Sequence, residues 1–99
     1  MIREFFLGFI KIHILHHATK RPVYGLWLIE ELSRHGYKLS PGTLYPILHS
    51  LEKKEYLKCY QETVEGKIRK YYKTTAKGKK ALIKAKGKIK ELVNEVFKE

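Results

Sequence analysis

The stretch Ser40-Pro41-Gly42-Thr43 places small hydroxyl side chains, a proline and a glycine directly before an apolar-periodic run. Serine is a preferred helix N-cap. Proline suits the first helical position, where its missing N–H would be unpaired in any case. A helix starting here offers free backbone N–H groups and the positive end of its dipole, and residues this small let a phosphate come close. Further along, Tyr45, His49, Ser50 and Lys53 accompany the apolar stripe of Leu44, Ile47, Leu48 and Leu51, and are candidates to reach bases or backbone. A second set, Lys67, Arg69 and Lys70 with Lys73, follows a Glu65-Gly66 turn. Cations there would neutralise phosphates, and Arg69 could enter a narrow minor groove. The chemistry on offer is recognition of a polyanion. No nucleophile–base pair, carboxylate dyad or phosphate loop is present, so an enzyme is not expected.

Three other groups bear on chemistry. His13, His16 and His17 lie within one helical turn, a spacing that can put two imidazoles on one metal. No nearby cysteine or acidic residue completes a set in sequence, so packing at an interface is the expectation, with no metal and no cofactor. Cys59 is the only cysteine and cannot form an internal disulfide. It sits in an expected strand without an activating motif, which reads as structural packing. Trp27 and Tyr24 could line a site for an aromatic ligand, and core packing accounts for them equally well.

The net charge is +11. Residues 1–66 hold nine Lys/Arg against seven Glu, whereas residues 67–99 hold twelve against three. The positive field is therefore concentrated in the last third, which favours DNA, RNA or an anionic surface; a solvated lysine-rich face is the plain alternative. No apolar run approaches the ~20 residues needed to cross a bilayer, and the N-terminus lacks a signal-peptide cleavage pattern. A cytoplasmic protein with no membrane partner is expected.

The elements that must position these groups follow from periodicity. Residues 3–19 form a helix in which Phe5, Phe6, Phe9, Ile10, Ile14 and Leu15 recur at three- and four-residue spacings. A helix apolar over so much of its circumference must be covered on most sides, which in 99 residues implies a second subunit. Pro22 suits the first turn of a second helix ending near Arg34, with Gly36 as a left-handed cap. The third helix begins at Ser40-Pro41 and contains Pro46, where a local distortion rather than a break is expected. Tyr56 to Thr63 and Lys67 to Thr74 flank Val64-Glu65-Gly66 as a hairpin. Thr75 caps a last helix running towards Glu99, in which Leu82, Ala85, Ile89, Leu92 and Val96 form a seam spaced for pairing with another helix. Gly78 and Gly87 weaken that helix intrinsically. The fold class is mainly α with a small β-hairpin (α+β): a winged helix-turn-helix over residues 1–75, with the C-terminal helix, 76–99, for dimerisation.

Ser40-Pro41-Gly42-Thr43-Leu44-Tyr45-Pro46-Ile47-Leu48 with Leu51-Glu52 resembles the recognition-helix signature of PadR-family regulators. Tyr24-Gly25 before Leu28-Ile29, Glu65-Gly66-Lys67-Ile68-Arg69-Lys70-Tyr71-Tyr72, and Thr75-Ala76-Lys77-Gly78 resemble that family's second helix, wing and last-helix start. The resemblance covers roughly residues 6–85. It implies a winged-helix homodimer that binds double-stranded DNA and represses transcription, dimerising through the last helix and often the first. It also implies that a small aromatic effector is a candidate partner. Two alternatives stand beside it: a non-specific architectural DNA binder, and a protein-interaction module. Glu55 departs from the family pattern, standing where a glycine often ends the recognition helix, so that end is expected to be longer or strained.

Overall fold

A computed structural model describes residues 2–98. The chain runs α1 (Ile2–Lys20), α2 (Gly25–Arg34), α3 (Pro41–Lys53), β1 (Leu57–Val64), β2 (Lys67–Thr74) and α4 (Ala76–Val96). These are the four helices and hairpin read from the sequence, in the expected order. The last helix ends at Val96 with Phe97 at its C-cap, and Glu99 lies outside the described residues.

One apolar cluster holds the elements together. Ile14 and Ala18 of α1, Leu28 and Leu32 of α2, and Leu44 and Leu48 of α3 lose all their solvent exposure in it, with Leu57 and Tyr72 of the hairpin almost as buried. Leu82 joins them at 5% exposure. The expected intersubunit seam therefore loses its first member, because that side chain is already covered within its own chain. Cross-links to the hairpin reinforce the packing. The buried Thr74 hydroxyl donates to the Leu15 carbonyl at 2.8 Å, joining β2 to α1.

Pro22 does not open α2. The backbone of Val23 pairs with Tyr72, N to O at 2.9 Å and O to N at 2.7 Å, and α2 begins only at Gly25. The residues before α2 thus form a one-residue third strand on β2. A helical Pro22-Val23 would leave that edge of β2 unpaired. Gly36 behaves as expected: at φ +87° it lets Gly36 N–H reach Ser33 O and Tyr37 N–H reach Leu32 O, the Schellman pattern. The hairpin is antiparallel from Leu57↔Thr74 to Val64↔Lys67. Glu65 and Gly66 both take positive φ, 52° and 79°, as a two-residue type I′ turn requires.

Gly78 has a role beyond weakening α4. Thr75 caps this helix, its Oγ1 accepting from Gly78 N–H at 3.0 Å and donating to Glu55 O at 2.6 Å. A Cβ on Gly78 would collide with the Tyr56 carbonyl. The glycine is therefore what lets α4 start against the end of α3. Pro46 leaves α3 continuous. It stands on the exposed side, where the Gly42 carbonyl it deprives of a partner can be solvated.

The α3 C-terminus repeats the Schellman pattern without glycine. Glu55 N–H bonds Glu52 O and Tyr56 N–H bonds Leu51 O, both at 2.9 Å, with Glu55 at φ +66°. The end of α3 is thus strained rather than extended, and the exposed Lys77–Glu55 contact at 3.9 Å offers little in return. Glu55→Gly is expected to raise stability by roughly 0.5–1 kcal/mol in chemical denaturation, since it relieves a left-handed non-glycine residue. An unchanged or lower midpoint would mean that the side chain contributes more than the strain removes.

Candidate nucleic-acid interface

In α3 the buried residues Leu44, Ile47, Leu48 and Leu51 define the inner face. At 100° per residue the opposite face carries Gly42, Pro46, His49 and Lys53, and all four are exposed. Ser40 and Pro41 at the N-terminus are exposed as well. The Ser40 hydroxyl makes no cap bond to the backbone and lies 3.3 Å from the Thr43 hydroxyl. The first N–H groups of α3 are consequently not occupied by their own cap side chain.

Thr43 and Ser50 are half-buried on the flank that faces α1. There, with Gly42, Pro46 and Ile47, they border a groove of about 260 Å³ whose other wall is Arg3, Leu7 and Lys11 of α1. Arg3 and Lys11 were not singled out from the sequence. Their spacing does put Arg3, Leu7 and Lys11 on one face of α1, but only the tertiary structure brings that face beside α3.

Tyr45 occupies the other flank and is half-buried. Its ring lies so close over Gly25, the first residue of α2, that a Cβ there would overlap the Tyr45 hydroxyl. The Tyr24-Gly25 and Tyr45 motifs are therefore two halves of one contact, which fixes how α3 sits on α2. Tyr45 is a positioning side chain in this structure, with His49 at 6.5 Å between ring centroids.

The wing stands beside this flank. Tyr24, Gly25, Leu26 and Tyr45 on one side and Glu65, Lys67, Ile68, Arg69 and Lys70 on the other enclose a groove of about 760 Å³. Lys67 and Lys70 are exposed, whereas Arg69 is half-buried. The Arg69 guanidinium lies 4.1 Å over the Tyr24 ring and donates to the Tyr71 hydroxyl at 3.5 Å. That hydrogen bond pushes the guanidinium above its already high ordinary pKa, against partial desolvation, with the Tyr24 and Tyr71 hydroxyls adding to the rise. Tyr71 in turn stacks on Tyr60, centroids 5.6 Å apart, and meets Tyr24 edge-on at 5.7 Å. Entering a minor groove would require Arg69 to leave this aromatic bed, at a cost of about 0.5–1 kcal/mol. Of the two strand faces left open by sequence alternation, the one with Tyr72 is inward: Tyr72 is 1% exposed, and burial raises its phenol pKa, with Cys59 as its neighbour.

The remaining expected groups separate cleanly. Phe5 at 58% exposure, Leu92 at 56% and Val96 at 55% remain open, and Phe9, Ala85 and Ile89 are half-covered. Trp27 is half-buried with the His17 ring edge-on at 5.4 Å, and Tyr24 is occupied by Arg69 and Tyr71, so packing accounts for both aromatics. The histidine trio is regrouped: His35 of the α2 cap joins His13 and His17, and Glu31 lies beside them. Among the described residues no helix is long and apolar enough to cross a membrane.

Comparison with known proteins bears on this geometry. The family model described as the transcriptional regulator PadR-like family matches residues 14–84. The transcriptional regulator Rv3488 of Mycobacterium tuberculosis is 47% identical over 97% of this chain and 90% of its own length. Among solved structures, a PadR family transcriptional regulator from Eggerthella lenta superposes with a TM-score of 0.84 at 31% identity, covering 99% of this chain and 87% of that one. A PadR-like transcription factor from Bacteroides fragilis gives 0.83 at 32% identity, over 95% of this chain and 92% of the other.

The Gly25–Tyr45 contact generates a double-mutant test. Gly25→Ala is expected to destabilise the fold by about 1–3 kcal/mol through overpacking. In a Tyr45→Ala background the same change should cost under about 0.5 kcal/mol, because the obstructing ring is gone. Equal costs in both backgrounds, measured by urea denaturation, would show that the ring does not set the position of α3.

Proposed function

This chain belongs to the PadR-like family of transcriptional regulators, and from that premise we propose that it is a cytoplasmic, homodimeric repressor that binds a pseudo-palindromic DNA site. The observation that carries the reading is the groove between the α2–α3 corner and the wing. It sets the Tyr45 flank of α3 and the start of α2 across from Lys67 and Lys70, while the exposed polar face of α3 stays open to solvent. In this reading α3 enters the major groove, N-terminus first, with Ser40, Pro41, Gly42 and Thr43 against phosphate and His49, Ser50 and Lys53 along the base edges. Lys67 and Lys70 take flanking phosphates, and Arg69 is held in reserve on Tyr24. Arg3 and Lys11 add positive charge on the α1 side of the helix.

The dimer part rests on apolar surface that the single chain leaves uncovered. Beyond Ala85, α4 presents Leu92, Val93, Val96 and Phe97 at 45–80% exposure, and Phe5 and Phe6 of α1 add to it. Ala85, Ile89, Leu92 and Val96 keep the three- and four-residue spacing of a helix-pairing seam. Two copies joined there would offer two α3 helices to successive major grooves about 34 Å apart.

The decisive experiment is recovery of bound fragments from sheared DNA of the source organism across a salt series. Enrichment of inverted-repeat sites that persists as salt rises is the expected result. Uniform recovery that disappears with salt would replace the specific regulator with an architectural binder, because phosphate contacts carry no sequence information. On an enriched site, Lys67→Ala should weaken binding to all sequences alike and lower the salt slope by about one, whereas His49→Ala should relax discrimination by about 1–3 kcal/mol at one base pair. The reverse pattern would put the wing, not α3, in charge of specificity. Leu92→Glu, at an exposed position, should leave the fold intact, give a monomer in sedimentation, and weaken operator binding at least about tenfold. A dimer that survives this change would place the subunit contact elsewhere.

A further inference from the structure

Two helices bring four chemically matched side chains together on the face of the molecule where α1 meets the C-terminus of α2. His13 and His17 stand one turn apart on α1, while Glu31 and His35 stand one turn apart at the end of α2. One ring nitrogen from each of His13, His17 and His35 lies within 4.8 Å of the others. Glu31 Oε2 is 3.2 Å from His35 Nε2 and 3.6 Å from His17 Nε2. The His17 Nε2 atom is buried and has no hydrogen-bond partner. We propose that His13, His17, His35 and Glu31 form a binding site for one divalent transition-metal ion of the zinc type.

The donor set decides the class of ion. Three imidazoles and one carboxylate suit zinc, cobalt or nickel, whereas calcium and magnesium require shells built from oxygen. Histidines four apart on one helix are a familiar chelating pair, and the second helix supplies the remaining half. Tetrahedral bonding at ~2.0–2.1 Å places donors about 3.4 Å apart, so the widest histidine pair, up to 4.8 Å apart, closes by up to about 1.4 Å on binding. His35 can supply that movement, since its side chain is 44% exposed beside the left-handed Gly36.

Electrostatics favours the same occupant. Burial, with the His35 and His16 rings adding to it against Glu31, holds the His13 imidazole below its ordinary pKa, and burial does the same at His17. Both are therefore neutral near pH 7, the form in which an imidazole can bind a metal. The carboxylate is also steadied from outside. Arg34 Nη1 donates to Glu31 Oε1 at 3.1 Å, leaving Oε2 directed at the histidines. A buried ring nitrogen without a partner costs stability, and a cation beside a 13%-exposed carboxylate would satisfy it. A metal held there would clamp α1 to the first helix of the helix-turn-helix. The site stands whether or not the DNA-binding reading holds.

The test uses the full chain without a polyhistidine tag, freed of metal by chelation and titrated with Co²⁺ and then Zn²⁺. The expected result is a visible absorption band of low-symmetry cobalt that saturates at one ion per chain and is bleached by zinc. His17→Ala and His35→Ala should each weaken binding on the order of 100-fold. His16→Ala should leave it within about threefold, because His16 is outside the set. His35 is exposed, so metal-free His35→Ala should melt close to the parent, and zinc should raise the melting temperature of the parent only. Absence of a saturable band in the parent overturns the proposal. So does one-per-chain binding that survives His35→Ala, or binding that His16→Ala removes as fully as His35→Ala.

Discussion

The pairing of Val23 with Tyr72 is the constraint on which the rest of the arrangement depends. Tyr72 lies in the second wing strand. Its ring is buried in the common core, and both of its outward backbone groups are bonded to the residue two positions before α2. The root of the wing is therefore tied to the residues leading into α2. A two-stranded hairpin is at best marginally stable alone, and here the core supplies what the strands lack. The position of the hairpin, and with it the placement of Lys67 and Lys70 beside α3, is set at this anchorage.

From that anchor the aromatic side chains extend in a line. Tyr72 holds the root and Tyr71 and Tyr60 stack on the opposite face. Tyr24 bridges to α2 while carrying Arg69, and Tyr45 lies across Gly25. Each ring covers a junction where two elements would otherwise meet through small residues or polar backbone. In a chain of 99 residues, with a core that is necessarily small, five of the seven tyrosines take part in these contacts. Only the Gly25 and Gly78 positions lack room for a side chain, and both lie where one helix begins against another element.

The opposite end of the molecule follows a different logic. The chain measures 56 Å in its longest dimension and 28 Å in the next, and at the far end of α4 Leu92, Val93, Val96 and Phe97 stand 45–80% exposed. Their exposure contrasts with the thorough burial around Tyr72. Exposed apolar surface of this kind is what the proposed dimer would cover, and the polar surface of α3 and the wing is what the proposed DNA contact would use.

Much of this was legible in one dimension. Helix starts at Ser40-Pro41 and Thr75, the Gly36 cap, the Glu65-Gly66 turn and the apolar stripes depend on residues a few positions apart, and local backbone preference suffices to read them. The family signature also lies in contiguous stretches, so the fold and family were legible there, while which of the named α3 residues are exposed (His49 and Lys53, but not Thr43, Tyr45 or Ser50) was decided by packing. What only the tertiary structure decided were pairings between distant residues. Pro22 looked like a helix start because nothing local reveals that Val23 will be taken by Tyr72. Leu82 looked like part of an intersubunit seam because spacing does not say which neighbour covers it. Tyr45 looked like a free contact until Gly25 came beneath it, and the histidines of α1 had no further potential ligand nearby until α2 brought His35 and Glu31 beside them. Local propensity fixes the elements, but a side chain's partner is set by which faces the core draws together. That depends on the whole chain at once.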